Sequence, residues 1–151
     1  MRNTMRILAG AFMLFVGVVL TPAIAATPDE AKDLAEKAAA LVASEGDKAF
    51  PAISDPNGAF HKGELYVAVV DRQGIVRANM NQKLIGVNLW DATDPDGVKF
   101  TQLLIHETES SPTAWVSYKF SNPETKKIEK KKTWAHRVGD YVVLCGAYVK
   151  D

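Results

Sequence analysis

The chain is poor in cysteine, has no surplus of charge and holds a single long apolar run. Each shortage removes a class of function. Cys145 is the only cysteine among 151 residues, so no intramolecular disulfide can form even in an oxidising compartment. It sits in the apolar, strand-like stretch Tyr141–Tyr148, a context for a buried inert thiol and not for a nucleophile. Lys and Arg total 18 against 18 Asp and Glu, which is not the basic footprint of a nucleic-acid binder. The three histidines, His61, His106 and His136, are dispersed without metal-ligand spacing. There is no Gly-x-Ser-x-Gly, no phosphate-cradling glycine loop and no Cys-x-x-Cys-His for haem. Asp94-Pro95-Asp96-Gly97 hints at a calcium loop. An EF-hand register would put Ala92 first and Leu103 last, and neither can ligate calcium. No enzyme, cofactor or metal centre is implied.

What is present begins at the N-terminus. Arg2 and Arg6 form a positive start, Ile7–Leu20 carries no charge, Thr21-Pro22 breaks a helix, and Ala23-Ile24-Ala25 supplies small residues for cleavage. That order is an export signal over residues 1–25, with the mature chain starting at Ala26. The apolar run is shorter than the ~20 residues of a spanning helix, and no second one follows. The mature protein is therefore expected in the periplasm or secreted, without inserting into a membrane. Loss of Arg2 and Arg6 leaves 16 basic residues against 18 acidic ones, a net charge of −2. Residues 26–151 are enough for one core and too few for two.

Thr27-Pro28-Asp29-Glu30 reads as a capping box opening a long helix. Ala31, Leu34, Ala35, Ala38, Leu41 and Val42 fall on one face of it, while Glu36 and Lys37 lie off that stripe and should tolerate truncation. Gly46 suits its end, a short helical piece follows around Asp47–Ile53, and Asp55-Pro56-Asn57-Gly58 is a turn. From Glu64 the period becomes two. Leu65–Val70 is a central strand, Asp71-Arg72-Gln73-Gly74 a turn, and Ile75–Asn79 the returning strand. Asn81–Asp96 is an irregular connection, pinned to the core by Ile85 and Leu89. Val98–Glu109 has helical spacing, stopped by Ser110-Ser111-Pro112. Three strands close the chain: Thr113–Phe120, about Lys127–Val138, and Tyr141–Val149. Short turns make consecutive strands antiparallel. The expected class is α+β: a PAS-like antiparallel sheet of about five strands with the long N-terminal helix packed on one face.

Several segments together resemble the single Cache domain of the second type. They are Asp55-Pro56-Asn57-Gly58, Lys62–Val67, Lys83–Leu89, Trp115–Lys119, Asn122–Lys127 and Arg137–Val143, in the family's order over nearly the whole mature chain. The resemblance implies an extracytoplasmic sensing domain that binds a small ligand, often a short carboxylate, on the sheet face away from the long helix. Because the sequence stops at Asp151 without an output module, it resembles a stand-alone form needing a separate membrane receptor or kinase as partner. A second reading is an accessory interaction protein of a membrane complex, its pocket closed.

A carboxylate site needs a cation or several N–H donors and walls that exclude water. The resemblance places Lys131 at the family's ligand lysine. Strand alternation instead groups Lys132 with Trp134, so either lysine remains a candidate. Trp115 and Tyr118 match an aromatic strand motif, but their opposite parity forbids both from lining one pocket without a bulge. Tyr118 is the better candidate because its hydroxyl can donate. Asn79 falls close to a histidine position of the family. The candidate ligand residues are thus Lys131, Lys132, Tyr118, Trp115, Asn79 and Trp134. Tyr66 and Tyr148 read as core first and pocket wall second. A cavity carrying a lysine favours ligand binding; one filled by Trp115, Trp134 and Leu144 favours the interaction reading.

Overall fold

A computed structural model gives the fold and describes residues 24–150. The expected export signal lies, through residue 23, outside the described residues. Helix α1 spans Pro28–Glu45. The capping box forms as its residue types dictate: Thr27 Oγ1 accepts from Glu30 N–H, and Thr27 N–H donates to Glu30 Oε2 at 2.8 Å. Gly46, at φ 59°, ends the helix in a conformation only glycine adopts without strain. A 3₁₀ turn (Gly46–Ala49) and a short helix α2 (Phe50–Ser54) follow.

The strands are β1 (His61–Lys62), β2 (Leu65–Asp71), β3 (Val76–Ala78), β4 (Thr113–Ser121), β5 (Ile128–Val138) and β6 (Tyr141–Tyr148). Helix α3 (Phe100–Ser110) precedes β4. All pairings are antiparallel, in the order β1-β2-β6-β5-β4, with β3 also on β2. This is the expected α+β, PAS-like arrangement, with β1 as an additional short edge strand.

The sheet separates two cores. Leu65, Val67, Val69, Val143, Cys145 and Ala147 face α1. Ala68, Val70, Val116, Ala135, Val142 and Leu144 face α3 and the 79–99 connection. Alternation along each strand enforces this split. The α1 stripe differs from expectation in its weights. Ala31, Ala35, Ala38, Ala39 and Val42 are buried, while Leu34 and Leu41 are half-buried at the margin. Small side chains at the centre let the helix axis lie close to the sheet. Glu36 is off the stripe yet engaged: its Oε1 accepts from Trp134 Nε1 at 2.6 Å, and its Oε2 lies 3.0 Å from His136 Nδ1. The expectation that Glu36 is dispensable is therefore corrected.

Asp94 explains its own loop. Oδ1 accepts from the Asp96 and Val98 amides and Oδ2 from the Lys119 amide on β4. Its carboxylate closes a turn and ties the connection to the sheet. The Lys119 amide, followed by those of Val98 and Asp96, holds its pKa below the usual value despite burial.

The tight helix–sheet contact yields a stability test. Ala38→Leu inserts volume where none is free and should lower unfolding free energy by about 1–3 kcal/mol in urea titration. Exposed Lys37→Ala should stay within about 0.5 kcal/mol. Equal small effects at both positions would mean that α1 does not pack on the sheet.

Candidate functional site

On the α3 side of the sheet lies a cavity of about 40 Å³, above the ~10–15 Å³ that admits one water. Its floor is the sheet: Tyr66, Ala68 and Val70 from β2, Tyr118 and Phe120 from β4, Lys131 from β5 and Leu144 from β6. The roof is Leu84 and Leu89 of the connection with Phe100, Thr101 and Leu104 of α3. Ser54 anchors this roof at its start. Its Oγ accepts from Asn79 N–H, and its carbonyl accepts from Gln82 Nε2 at 2.8 Å.

Lys131 is the only lysine among the described residues that is buried, at 1% exposure. Among those residues no carboxylate stands within ion-pair distance of it. Its charge rests on aromatic faces instead. Nζ lies 3.9 Å from the Tyr66 ring centroid, 5.1 Å from Tyr148 and 5.6 Å from Phe120. Desolvated cation–π contacts of this kind contribute up to about 2 kcal/mol. Burial works against the ammonium, but the oxygens of Tyr66 and Tyr118 more than offset it, the ammonium donating a hydrogen bond to Tyr66. Its pKa stays above the ordinary lysine value, so the group is charged at neutral pH.

Register builds this arrangement. Lys131 pairs with Tyr118 on one side and Tyr148 on the other, which places both phenols on its face. Thr133, two residues along, donates from Oγ1 to Tyr118 Oη at 3.3 Å. Tyr148 Oη donates to the Ser121 carbonyl at 2.6 Å. Burial pushes the Tyr118 and Tyr148 phenols above the usual range, so both remain neutral donors. Tyr66 reaches the lysine because Gly146 stands between them. A Cβ on Gly146 would collide with the Thr133 hydroxyl and approach Lys131 Cε to 2.8 Å.

Three of the six candidate residues come together here. Lys131, Tyr118 and Asn79 line the cavity. Asn79 Oδ1 is occupied by the Asn81 amide at 2.8 Å, which leaves its amide hydrogens directed elsewhere. Lys132, Trp115 and Trp134 lie on the opposite, α1 side, so the face shared by Lys132 and Trp134 is not the cavity face. There Trp115 and Trp134 meet edge to face at 5.0 Å, with Lys132 Nζ over Trp115 and Lys32 Nζ over Trp134. The cavity is thus not filled by tryptophan. Tyr66 and Tyr148 prove central to the lysine's environment, and Phe120 and Gly146 were not singled out from sequence. Glycine inside a central strand is itself a signal of close approach.

The remaining titratable candidates are accounted for locally. Burial raises the Cys145 thiol to about 11, which keeps it protonated. His61, His106 and His136 stay apart, and no group of His, Cys, Asp and Glu among the described residues could hold a metal. No helix among those residues is long and apolar enough to cross a membrane.

The family model described as Single Cache domain 2 matches residues 25–151. No curated protein matches the chain. Among similar solved structures is a methyl-accepting chemotaxis protein from Vibrio parahaemolyticus RIMD 2210633, 20% identical, with a TM-score of 0.70 over 82% of this chain and 88% of that one. A periplasmic sensor domain of a chemotaxis protein is 21% identical, with a TM-score of 0.62 over 81% and 90% of the two chains. A Cache chemosensory domain whose structure addresses carboxylic acid recognition is 17% identical, with a TM-score of 0.67 over 81% and 92%. At these identities the likeness establishes the fold.

Gly146 provides a test of the site's construction. Gly146→Ala should cost about 1–3 kcal/mol in urea denaturation, because Thr133 and Lys131 must both give way. An alanine variant as stable as the parent would show that the lysine does not lie across β6.

Proposed function

The chain belongs to the single Cache domain 2 family of sensor domains, and we propose that its cavity binds a short organic carboxylate through Lys131. The observation that carries this reading is a charged, fully buried ammonium with no acidic partner, aimed into a small cavity. Burying an ion unpaired is costly. Aromatic faces offset part of that cost, and a carboxylate guest offsets far more through a charge-assisted hydrogen bond. Tyr118 supplies a second, neutral donor, and the amide of Asn79 a third. Apart from Tyr66 and Thr101 the remaining walls are apolar, which limits water and strengthens each polar contact. A cavity of about 40 Å³ selects for acids of very few heavy atoms.

On this reading the protein is a sensor domain and no enzyme, in keeping with the family it belongs to. It acts outside the cytoplasm, in the periplasm or secreted, and a separate membrane receptor or kinase carries the signal onward. The neighbouring periplasmic sensor domains support that location. The polar lysine in the cavity favours ligand binding over the pocketless interaction reading.

A thermal-shift series with acetate, propionate, pyruvate and lactate tests the proposal, since a guest bound only by the folded state raises Tm. At least one acid should raise Tm, and acetamide should not. Loss of the charged contact in Lys131→Met should weaken binding about ten- to a hundredfold, following the ~1.5–3 kcal/mol of such a bond. Tyr118→Phe should weaken it less, and Lys132→Met should leave it unchanged. No response to any acid, or equal affinity in Lys131→Met, overturns the carboxylate reading.

A further inference from the structure

Among the described residues, the chain first packs on the core at Ala26. Ile24 is 96% exposed and Ala25 is exposed beside it, whereas Ala26 is half-buried and packs on the α1-side core. The Ala26 N–H donates to Glu64 Oε1 at 3.1 Å, across 38 positions of sequence. Glu64 is held for this contact. Its Oε2 accepts from Asn122 Nδ2 at 3.1 Å, and the same amide donates to Glu129 Oε2 at 2.7 Å. Asn122 is 1% exposed, and its Oδ1 accepts from the Glu124 amide. A carboxylate fixed in this way accepts from a peptide N–H, and an ammonium in the same place adds a full opposite charge.

We propose that the Ala25–Ala26 bond is the processing site and that Glu64 is the built receptor for the resulting α-ammonium. Hydrolysis by an export-associated peptidase breaks that peptide bond. Water supplies hydroxide to the Ala25 carbonyl carbon and a proton to the Ala26 nitrogen, which takes a second proton from solvent. The hydrogen bond to Glu64 becomes an ion pair without movement of Ala26. It links the new terminus to the β4–β5 turn through Asn122 and Glu129. The other charged groups lining this groove are Glu30, whose carboxylate is engaged by Thr27, and Lys62. This inference does not depend on the identity of any ligand.

A free α-amine has a pKa of about 7.7–8.0, and a fixed carboxylate neighbour raises it. A group whose folded pKa is raised stabilises fully below its unfolded pKa, and that contribution is lost as pH climbs through the folded one. Full-length protein produced in an exporting bacterium and recovered from outside the cytoplasm should show, by intact mass, a terminus at Ala26. The α-amine pKa, read by NMR after selective labelling, should lie about one unit above the ordinary value and fall back toward it in Glu64→Gln. The Tm advantage of the parent over Glu64→Gln should shrink between pH 7 and pH 10. If Glu64→Gln does not accumulate, the parent's own pKa decides. A terminus elsewhere, or a parental α-amine titrating at the ordinary value, overturns the proposal.

Discussion

A lysine ammonium with no carboxylate partner, enclosed between a sheet and its covering helix, is the constraint around which this domain is arranged. Lys131 is 1% exposed, and a charge so placed must be compensated by whatever the fold can bring to it. Three rings come from three different strands: Tyr66 from β2, Phe120 from β4 and Tyr148 from β6. Gly146 is small because the lysine stem crosses over it. Thr133 holds Tyr118 from behind. Replacing a buried, imperfectly compensated ion with an apolar side chain of similar volume is commonly neutral or stabilising. Stability alone therefore gives little reason for lysine here, and the reason must be sought in what the charge can hold.

The same sheet keeps that charge away from the other face. On β5, Lys131, Thr133 and Ala135 face the cavity side, while Lys132, Trp134 and His136 face α1. The α1 side solves a different problem with similar residue types. Lys132 and Lys32 lie over tryptophan rings, but there Glu36 supplies a carboxylate, accepting from Trp134 Nε1 and lying against His136. Those lysines are in reach of solvent, so their contacts cost little desolvation and contribute little. Lysine on an aromatic ring occurs on both faces, and burial is what distinguishes them.

That distinction also sets what could be read from sequence. The capping box at Thr27 and Glu30, the turn at Asp71–Gly74 and the three closing strands follow from local chemistry, which acts within a few residues. Alternation correctly grouped Lys132 with Trp134 and separated Trp115 from Tyr118. It could not say which group faced the cavity, because that depends on which layer covers each face. Strand β2 is buried along its whole length, so Tyr66 carried no periodic signal at all. Ala-rich α1 misled in the opposite way: its leucines dominate any hydrophobicity count, yet the alanines make the close contact. Lys131 and Asn79 were reached through family resemblance, and Gly146 only through the packing it relieves.

The cavity's smallness has a further physical consequence. With a volume of about 40 Å³ it leaves no room for a hydration shell, so on the proposed reading an entering anion exchanges its water for contacts such as Lys131, Tyr118 and the amide of Asn79. An anion with a large apolar body would demand displacement of Leu84, Leu89 or Phe100. Leu84 and Leu89 sit on an irregular connection tied down at Ser54 by Asn79 and Gln82 and at β4 by Asp94. Between those ends the connection is also held by backbone bonds, from Val76 N–H to the Val87 carbonyl, Gly86 N–H to the Val76 carbonyl and Leu89 N–H to the Gly74 carbonyl. On the proposed reading, the charge on the floor selects the guest, and Leu84, Leu89 and Phe100 limit its size. Since Asn79 stands both in the connection's first anchor and on the cavity wall, a guest that engaged its side-chain amide on that reading would also bear on the connection.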